Sequence, residues 1–423
     1  MSAIKSIKGF ADMFPPESDA FTHMEKTARS VFFRCGYVEL RTPLLERTEL
    51  FCRSIGTETD VVQKEMYTFH DRKDRSLTLR PEATAGVMRA YLEAGRHTRE
   101  PVSKLFTCGP MFRYERPQKG RMRQFHQINC ECIGAKGPHT DAEIIVMLMS
   151  FLQELGIRDL ELHLNSLGCP QCRPAYRALL HDYLKSLDVS ALCEDCRRRM
   201  ETNPLRVLDC KVPTCREHTE RAPKITDHLC PECGEHFDVV RRLLRGAGIV
   251  PTPDHRLVRG LDYYCRTTFE VVSGGIGAQS SVAGGGRYDG LIRQLGGPDL
   301  PGIGFACGME RLALLLPPLE TARPDFHIVV MEAAALEAAF LLASSLRDRG
   351  FSGDMCHSGG GFKSQMRQAD KSGARNCLIL GPEEMASGTV VVKDMDSGRQ
   401  TTVRRDEAAA LLRDRGQAER RCC

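Results

Sequence analysis

Apolar positions along the chain alternate between a helical and a strand period. Residues 17–33 carry them at helical spacing, and 36–46 then gives a short β-like run that Pro43 ends. Residues 77–80 and 103–107 read as strands on either side of a helical stretch over 82–93, with Thr84 near its start. Alternation from 111 to 133, broken by Arg116-Pro117-Gln118-Lys119-Gly120, predicts a hairpin. A strongly apolar helix is expected over 141–155, closed by Gly156, and 160–164 returns to period two. Strand-like patterning resumes at 267–272 and runs on to Gly284-Gly285-Gly286; 303–311 then leads into an apolar helix over 312–316 that Pro317 and Pro318 stop. Beyond Pro324 the order is strand (326–331), helix (336–348), strand (353–356), helix (365–371), strands (377–380 and 389–393) and helix (407–413), which describes a separate α/β domain. The mixture lacks a strict βαβα alternation, so the chain as a whole reads as α+β.

Composition narrows the class. The 423 residues suffice for two to four domains at roughly 100 to 200 residues each. With 42% hydrophobic and 27% charged residues the chain is ordinary globular protein, which excludes disorder. No apolar run reaches the roughly 18 residues of a membrane span; the nearest, 144–149 continuing to Phe151 and Leu152, is interrupted by Ser150 and reads as a buried helix. The first eight residues lack the apolar stretch and cleavage site of a secretory leader, so a cytoplasmic protein is expected. Its 19 cysteines are then thiols or metal ligands and not a disulfide framework. Lys and Arg number 59 against 55 Asp and Glu, and the net charge of +4 is too modest to favour a protein that only binds nucleic acid.

Charge is concentrated locally. Between Lys104 and His126 there are six Lys or Arg and one acid, Glu115, which points to an anion. On a hairpin alternate side chains share a face, so Arg113, Arg121 and Arg123 are expected to project together toward one ligand, with Phe125 available to stack on a base. The plainer reading is a hairpin edge protected by charge. The glycines of Gly284-Gly285-Gly286-Arg287-Tyr288-Asp289-Gly290 permit close backbone approach, yet glycine clusters more often mark turns. No Gly-Lys-Ser/Thr follows at phosphate-loop spacing, and Gly302 to Gly308 runs straight into the charged Met309-Glu310-Arg311 instead of a dinucleotide-binding helix.

Together these segments resemble the signature motifs of class II aminoacyl-tRNA synthetases, in the form seen in the histidyl-tRNA synthetase family. Residues 36–51 resemble motif 1, 112–127 motif 2, and 302–316, with Arg311, motif 3. Two segments particular to the histidine enzymes are similar to 257–264 and 281–290, and the likeness spans about residues 7–415. It implies a six-stranded antiparallel catalytic sheet and an ATP-dependent ligase that joins histidine to the 3′ end of its tRNA. Arg113 is implied on the α-phosphate, Arg121 and Arg311 near the γ-phosphate, Phe125 on adenine, Glu115 in the ATP site, and Arg259 as a further cation at the α-phosphate; Arg113 and Arg259 are the catalytic pair. For histidine it implies Glu82, Ala83 and Thr84 around the α-ammonium, Gln127 near the carboxylate, and Glu131, Tyr263 and Tyr264 around the imidazole, with Arg113 and Arg259 also at this site. A carboxylate and a phenol suit an imidazole, which carries one donor and one acceptor when neutral. Ala83 departs from the glycine common at this place and adds only a methyl group. The resemblance further implies ATP with Mg2+, tRNA, a homodimer through motif 1, and a C-terminal anticodon-binding domain in which Lys363, Arg367 and Lys371 at helical spacing meet the RNA backbone. The rival is a non-catalytic relative, the histidine-binding regulatory subunit of ATP phosphoribosyltransferase. Such proteins lack the anticodon domain and erode the ATP arginines, whereas Arg113, Arg121, Arg259 and Arg311 all stand here.

Residues 169–233 hold eight of the 19 cysteines. Three CxxC pairs, Cys169/Cys172, Cys193/Cys196 and Cys230/Cys233, and the looser Cys210/Cys215 suggest one structural zinc, since two pairs complete a tetrahedron. Cys169, Cys172, Cys193 and Cys196 are the first choice by spacing, with Cys230 and Cys233 able to replace either pair; reduced thiols in a helical module are the alternative. The expected organisation is therefore a catalytic domain in two parts, 1–168 and 246–320, an inserted cysteine-rich helical module over 169–245 whose Arg197 to Arg199 suit tRNA contact, and an anticodon-binding domain over 324–423.

Overall fold

The helix Glu17–Arg34 buries Phe21, Met24, Ala28, Val31 and Phe32, an i, i+3, i+7, i+10, i+11 stripe that a 3.6-residue period places on one face. It packs with Pro138–Glu154, whose buried face carries Ile144, Ile145, Leu148, Phe151 and Leu152 and whose exit is Gly156 at φ +74°. In the computed structural model, which describes residues 3–57, 59–261, 263–276, 281–319, 323–357 and 361–420, both helices cover one face of a large sheet. Asp262 and the terminal Cys422 and Cys423 lie outside the described residues.

That sheet has eight strands in the order Val38–Glu39, Ser103–Phe112, Gln124–Ile133, Gly302–Gly308, Ser281–Arg287, Cys265–Ser273, Leu160–Ser166 and Thr252–Pro253. The inner six are antiparallel, as the resemblance implies, and the two-residue edge strands add parallel pairings. The α+β reading holds. A second, three-stranded sheet pairs Leu45–Arg47, Ser76–Leu79 and Tyr67–His70, and the helix Thr48–Ile55 follows its first strand. Only Ser76–Leu79 of that sheet is anticipated by patterning.

Period two sorts the strands' two faces. Ile128, Cys130 and Cys132 join the core under the helices with Ile303, Phe305, Cys307, Phe269 and Val271. Gln127, Asn129, Glu131 and Glu270 alternate with them and so point to the opposite face, where a cavity opens.

Helices Arg173–Lys185, Glu194–Thr202 and Pro231–Gly246, with shorter turns between them, leave the sheet after Leu160–Ser166 and return before Cys265–Ser273. Tyr176, Leu180, Leu184 and Met200 of this module share one hydrophobic cluster with Tyr263, Tyr264 and Tyr288. Residues 1–319 form one compact unit.

Residues 320–423 form the second. Its five-stranded sheet runs Gly353–Met355, Phe326–Val330, Asn376–Leu380, Thr389–Asp394, Gln400–Arg404, parallel across the first three and antiparallel thereafter. Leu342, Ala343 and Leu346 of the helix Leu336–Asp348 meet Ile328, Leu378 and Val390 in its core. Among the described residues no helix is long and apolar enough to cross a membrane.

Candidate active site

The cavity on the open face of the large sheet has a volume of about 340 Å³. It collects Glu82, Thr84, Arg113, Glu115, Arg121, Phe125, Gln127, Glu131, Arg259, Tyr263, Tyr264 and Arg311 from segments far apart along the chain. All but one of the residues expected for ATP and histidine therefore line one space; Ala83 is fully buried just behind it, at the start of the helix Thr84–Glu93.

One end is built for an anion. Arg113 leaves the strand Ser103–Phe112, donates through Nε to Pro81 O at 2.8 Å, and lies with its guanidinium carbon 5.3 Å from the Phe125 ring centre. Arg121 pairs with Glu115. Arg311, within the helix Met309–Ala313, donates to Ser281 O at 2.6 Å; burial lowers its pKa, and Arg121 and Arg113 lower it further. Converging guanidinium groups that raise one another's energy are relieved by an anionic ligand. Arg123 does not join them. It donates from Nε to Glu115 O at 3.2 Å and stacks on Tyr114 at 3.9 Å from the ring centre, because 113–123 is a loop and not continued strand, so alternation no longer fixes direction. The anchor that holds this edge is Glu310, which accepts the His126 backbone N–H at 2.8 Å and meets His126 Nδ1 at 3.0 Å.

The other end is built for a small polar molecule. Glu82 caps the helix Thr84–Glu93, accepting the N–H groups of Thr84 and Ala85 at 2.7 and 2.8 Å. Thr84 donates Oγ1 to Glu131 Oε1 at 2.7 Å, and the Tyr288 hydroxyl donates to Glu131 Oε2. Burial pushes the Glu131 carboxyl up to about 8 and also raises Glu82. Tyr263 lies against Tyr264 at 4.7 Å between ring centres and against Tyr288 at 5.7 Å. Between the two ends Arg259 donates to Glu270 Oε1 at 3.1 Å with its guanidinium near the Tyr264 ring. Arg259 Nε, Gln127 Oε1 and Asn129 Oδ1 line the cavity buried and without a hydrogen-bond partner, a state that a polar ligand corrects.

The glycine clusters acquire a reason here. A β-carbon on Gly284 would overlap the Arg259 guanidinium, and one on Gly304 would overlap the Glu131 carboxylate. They are places of close approach and not turns. Tyr288 and Glu270 are the residues that sequence reasoning misses; Tyr288 sits inside the glycine segment, and the only signal was an aromatic embedded in it.

The cysteines correct an expectation. Cys169 and Cys172 do not meet Cys193 and Cys196. They gather with Cys230 and Cys233, while Cys193 and Cys196 gather with Cys210 and Cys215. The module closes on itself, so its two ends come together and spacing along the chain is a poor guide. Arg198 pairs with Asp195 at 3.3 Å and Arg199 with Asp60 at 3.0 Å; Arg197 and Arg198 are exposed and Arg199 is half-buried.

A family model described as histidyl-tRNA synthetase matches residues 9–312, and one described as an anticodon binding domain matches 325–415. The chain is 70% identical to a histidine–tRNA ligase of Nitratidesulfovibrio vulgaris over 412 residues, 97% of this chain and 99% of that one. It is 53% identical to a histidine–tRNA ligase of Geobacter metallireducens, over 96% of this chain and 98% of the other. Among solved structures, apo histidyl-tRNA synthetase of S. aureus superposes with a TM-score of 0.81 at 35% identity, covering 97% of this chain and all of that one. An antiparallel six-stranded core with its site on the open face, followed by an anticodon-binding domain, defines a class II aminoacyl-tRNA synthetase. Within that class the chain belongs to the histidyl-tRNA synthetase family.

Proposed function

We propose that the cavity activates histidine with ATP and that the enzyme then transfers histidine to the 3′ end of its tRNA. The observation that carries this reading is the meeting, in one cavity, of a cationic end and a carboxyl–phenol end with Arg259 between them. Histidine sits with its imidazole between Glu131 and the tyrosines Tyr263 and Tyr264, its α-ammonium toward Glu82 and Thr84 beside Ala83, and its carboxylate toward Gln127. The imidazole N–H donates to Glu131, which releases its proton as that donor arrives. ATP lies along the cationic end, adenine on Phe125, α-phosphate at Arg113 and Arg259, and γ-phosphate toward Arg121 and Arg311, with Glu115 orienting Arg121. The histidine carboxylate oxygen bonds to the α-phosphorus, the bond from that phosphorus to the bridging oxygen breaks, and pyrophosphate leaves. Negative charge grows on the non-bridging oxygens, where Arg113 and Arg259 are already held in place, so no reorganisation is needed at the moment of reaction. Mg2+ bound with ATP would neutralise phosphate charge, and Glu115 and Glu270, which line the cavity, would be the residues to offer it oxygen donors. In the second step the terminal ribose hydroxyl of tRNA attacks the histidyl carbonyl, its proton passes to a phosphate oxygen of the adenylate, the bond from the carbonyl carbon to the phosphate oxygen breaks, and AMP departs.

The same reading divides the chain into catalytic parts at 1–168 and 246–320, an inserted module over 169–245 and an anticodon-binding domain over 324–423. It takes the enzyme as a cytoplasmic homodimer joined through the motif 1 segment, where Val38, Leu44 and Leu45 are exposed on or near an edge strand. Structural zinc held by module cysteines, away from the reacting atoms, belongs to it as well. The regulatory-subunit reading is not favoured, because the four arginines line the cavity together and residues 325–415 match an anticodon-binding model. The test is aminoacylation: with ATP and histidine the enzyme is expected to make an acid-precipitable, periodate-resistant histidyl ester on its tRNA. Binding of tRNA and histidine without ester formation would overturn the reading.

A further inference from the structure

We propose that the helical module carries two tetrathiolate Zn2+ sites, one at Cys169, Cys172, Cys230 and Cys233 and one at Cys193, Cys196, Cys210 and Cys215, each positioning one side of the catalytic cavity. The inference deepens the structural-zinc reading, on which it rests, by fixing number, ligands and purpose.

In each group the four sulfurs lie within 4.8 Å of one another. Four sulfurs at the usual zinc distance of about 2.3 Å on a tetrahedron stand about 3.8 Å apart. Cys169 and Cys172 are 3.7 Å apart, Cys169 and Cys230 3.8 Å, Cys172 and Cys233 3.9 Å, and Cys193 and Cys210 3.9 Å. Those separations fit shared coordination, and they exceed by far the roughly 2.05 Å of a disulfide. Backbone N–H groups are aimed at the sulfurs: Cys169 N–H at Cys172 Sγ (3.1 Å), Gln171 N–H at Cys169 Sγ (3.4 Å) and Cys193 N–H at Cys215 Sγ (3.2 Å). Amides placed so favour thiolate, the form that binds metal. Gly168, at φ +63°, is required beside the first group, since a β-carbon there would stand 2.7 Å from Cys172 Sγ. Soft, closed, four-sulfur sites of this kind select zinc.

The pairs are nested, the outer group joining the module's two ends and the inner group its middle. From the outer group, Arg173 follows Cys172 directly and donates to Leu167 O at 3.1 Å and Tyr264 O at 2.6 Å. Arg266 returns the tie, its backbone N–H on Gly168 O at 2.8 Å and its side chain on Glu232 at 2.6 Å. The outer zinc thereby fixes the backbone that carries the tyrosine end of the cavity. From the inner group, Lys211 beside Cys210 lines the cavity, and Arg206 donates to Arg259 O at 2.8 Å. The inner zinc thereby fixes the backbone of Arg259.

The test begins with metal content of the intact enzyme, purified without chelator, by plasma mass spectrometry. Two zinc per chain are expected, and one in each of Cys230→Ser and Cys215→Ser. One zinc in the parent would overturn the two-site inference while leaving the single-zinc reading; none would overturn both. Cobalt-grown enzyme gives a check that does not depend on the variants folding: two equivalents with tetrahedral tetrathiolate absorption are expected, and octahedral spectra would overturn the assignment. Positioning is read from histidine-dependent pyrophosphate exchange. Cys230→Ser is expected to raise KM for histidine on the order of 10-fold with little change in kcat, and Cys215→Ser to lower kcat by a similar factor with histidine KM kept. The same loss in both parameters for both variants would show a merely structural role and overturn the positioning claim.

Discussion

On the proposed reading Arg259, hydrogen-bonded to Glu270 and with its Nε buried and unpartnered in the cavity, acts in the transition state more than in holding histidine. Arg259→Ala is therefore expected to slow adenylation by about 100- to 1,000-fold, about 3–4 kcal/mol of barrier, with histidine Kd nearly unchanged, as measured by single-turnover kinetics beside equilibrium binding. Glu131 yields a prediction with a sign. Burial raises its pKa to about 8, above the ordinary carboxyl value, so the empty folded enzyme binds a proton that the unfolded chain does not. Its contribution to stability is full below about pH 4.5 and is lost as pH rises toward 8. Glu131→Gln should thus gain thermal stability relative to the parent between pH 5 and 8 while losing at least tenfold in kcat/KM for histidine; a constant difference in Tm across that range would refute the buried-carboxyl argument. At this scale the motifs bring the residues expected for ATP and histidine, Ala83 apart, to one cavity, but membership of a motif does not fix where a side chain points. Arg123 misled because its neighbours turn from strand to loop, and Tyr288 stayed hidden because glycines around it looked like a turn.

Helices and strands are fastened by one buried network. Arg287, fully buried, pairs with Asp141 through Nε at 3.0 Å and with Asp289 at 3.0 Å, and His236 Nε2 meets Asp141 at 2.7 Å. It joins the glycine strand Ser281–Arg287 to Pro138–Glu154 and to Pro231–Gly246 of the module. Burial pushes the Asp141 carboxyl up, but the His236 hydrogen bond and the Arg287 charge outweigh it and hold it below its usual range. Arg287→Met leaves that carboxylate without its main cation and is expected to cost about 3–5 kcal/mol in urea unfolding. The gap to the parent should narrow as pH falls through the usual carboxyl range and close only below the depressed value that Asp141 has in the folded parent; a loss under 1 kcal/mol would mean that the network is dispensable. Long periodic segments were legible because burial imposes their period: the hairpin, the helix Pro138–Glu154 and four of the five strands of the C-terminal unit follow from patterning, while the largely exposed strand Gln400–Arg404 does not. Of the shortest strands, Val38–Glu39 and Gly353–Met355 fall in runs that the pattern marks, whereas Leu45–Arg47 and Thr252–Pro253 do not, since they exist through pairing with distant neighbours. Nor was the nesting of the cysteine pairs, which depends on where helices return.

At the scale of the molecule, activation and tRNA recognition draw on separate compact units, residues 1–319 and 320–423. Lys363, Arg367 and Lys371 are exposed along one helix of the second, while Gln365 and Ala369 face its interior. Charge reversal of Lys363 and Arg367 is expected to raise KM for tRNA, to flatten its salt dependence by about one to two phosphate contacts, and to leave tRNA-independent exchange unchanged. A fall in exchange would place the defect in folding instead. The central claim is that the cavity forms histidyl-adenylate. Its most direct test is exchange of labelled pyrophosphate into ATP without tRNA, run with each standard amino acid in turn. Exchange is expected with histidine alone, with near-complete loss in Arg259→Ala. Histidine binding without exchange in the parent enzyme would contradict it and point to a protein that senses histidine.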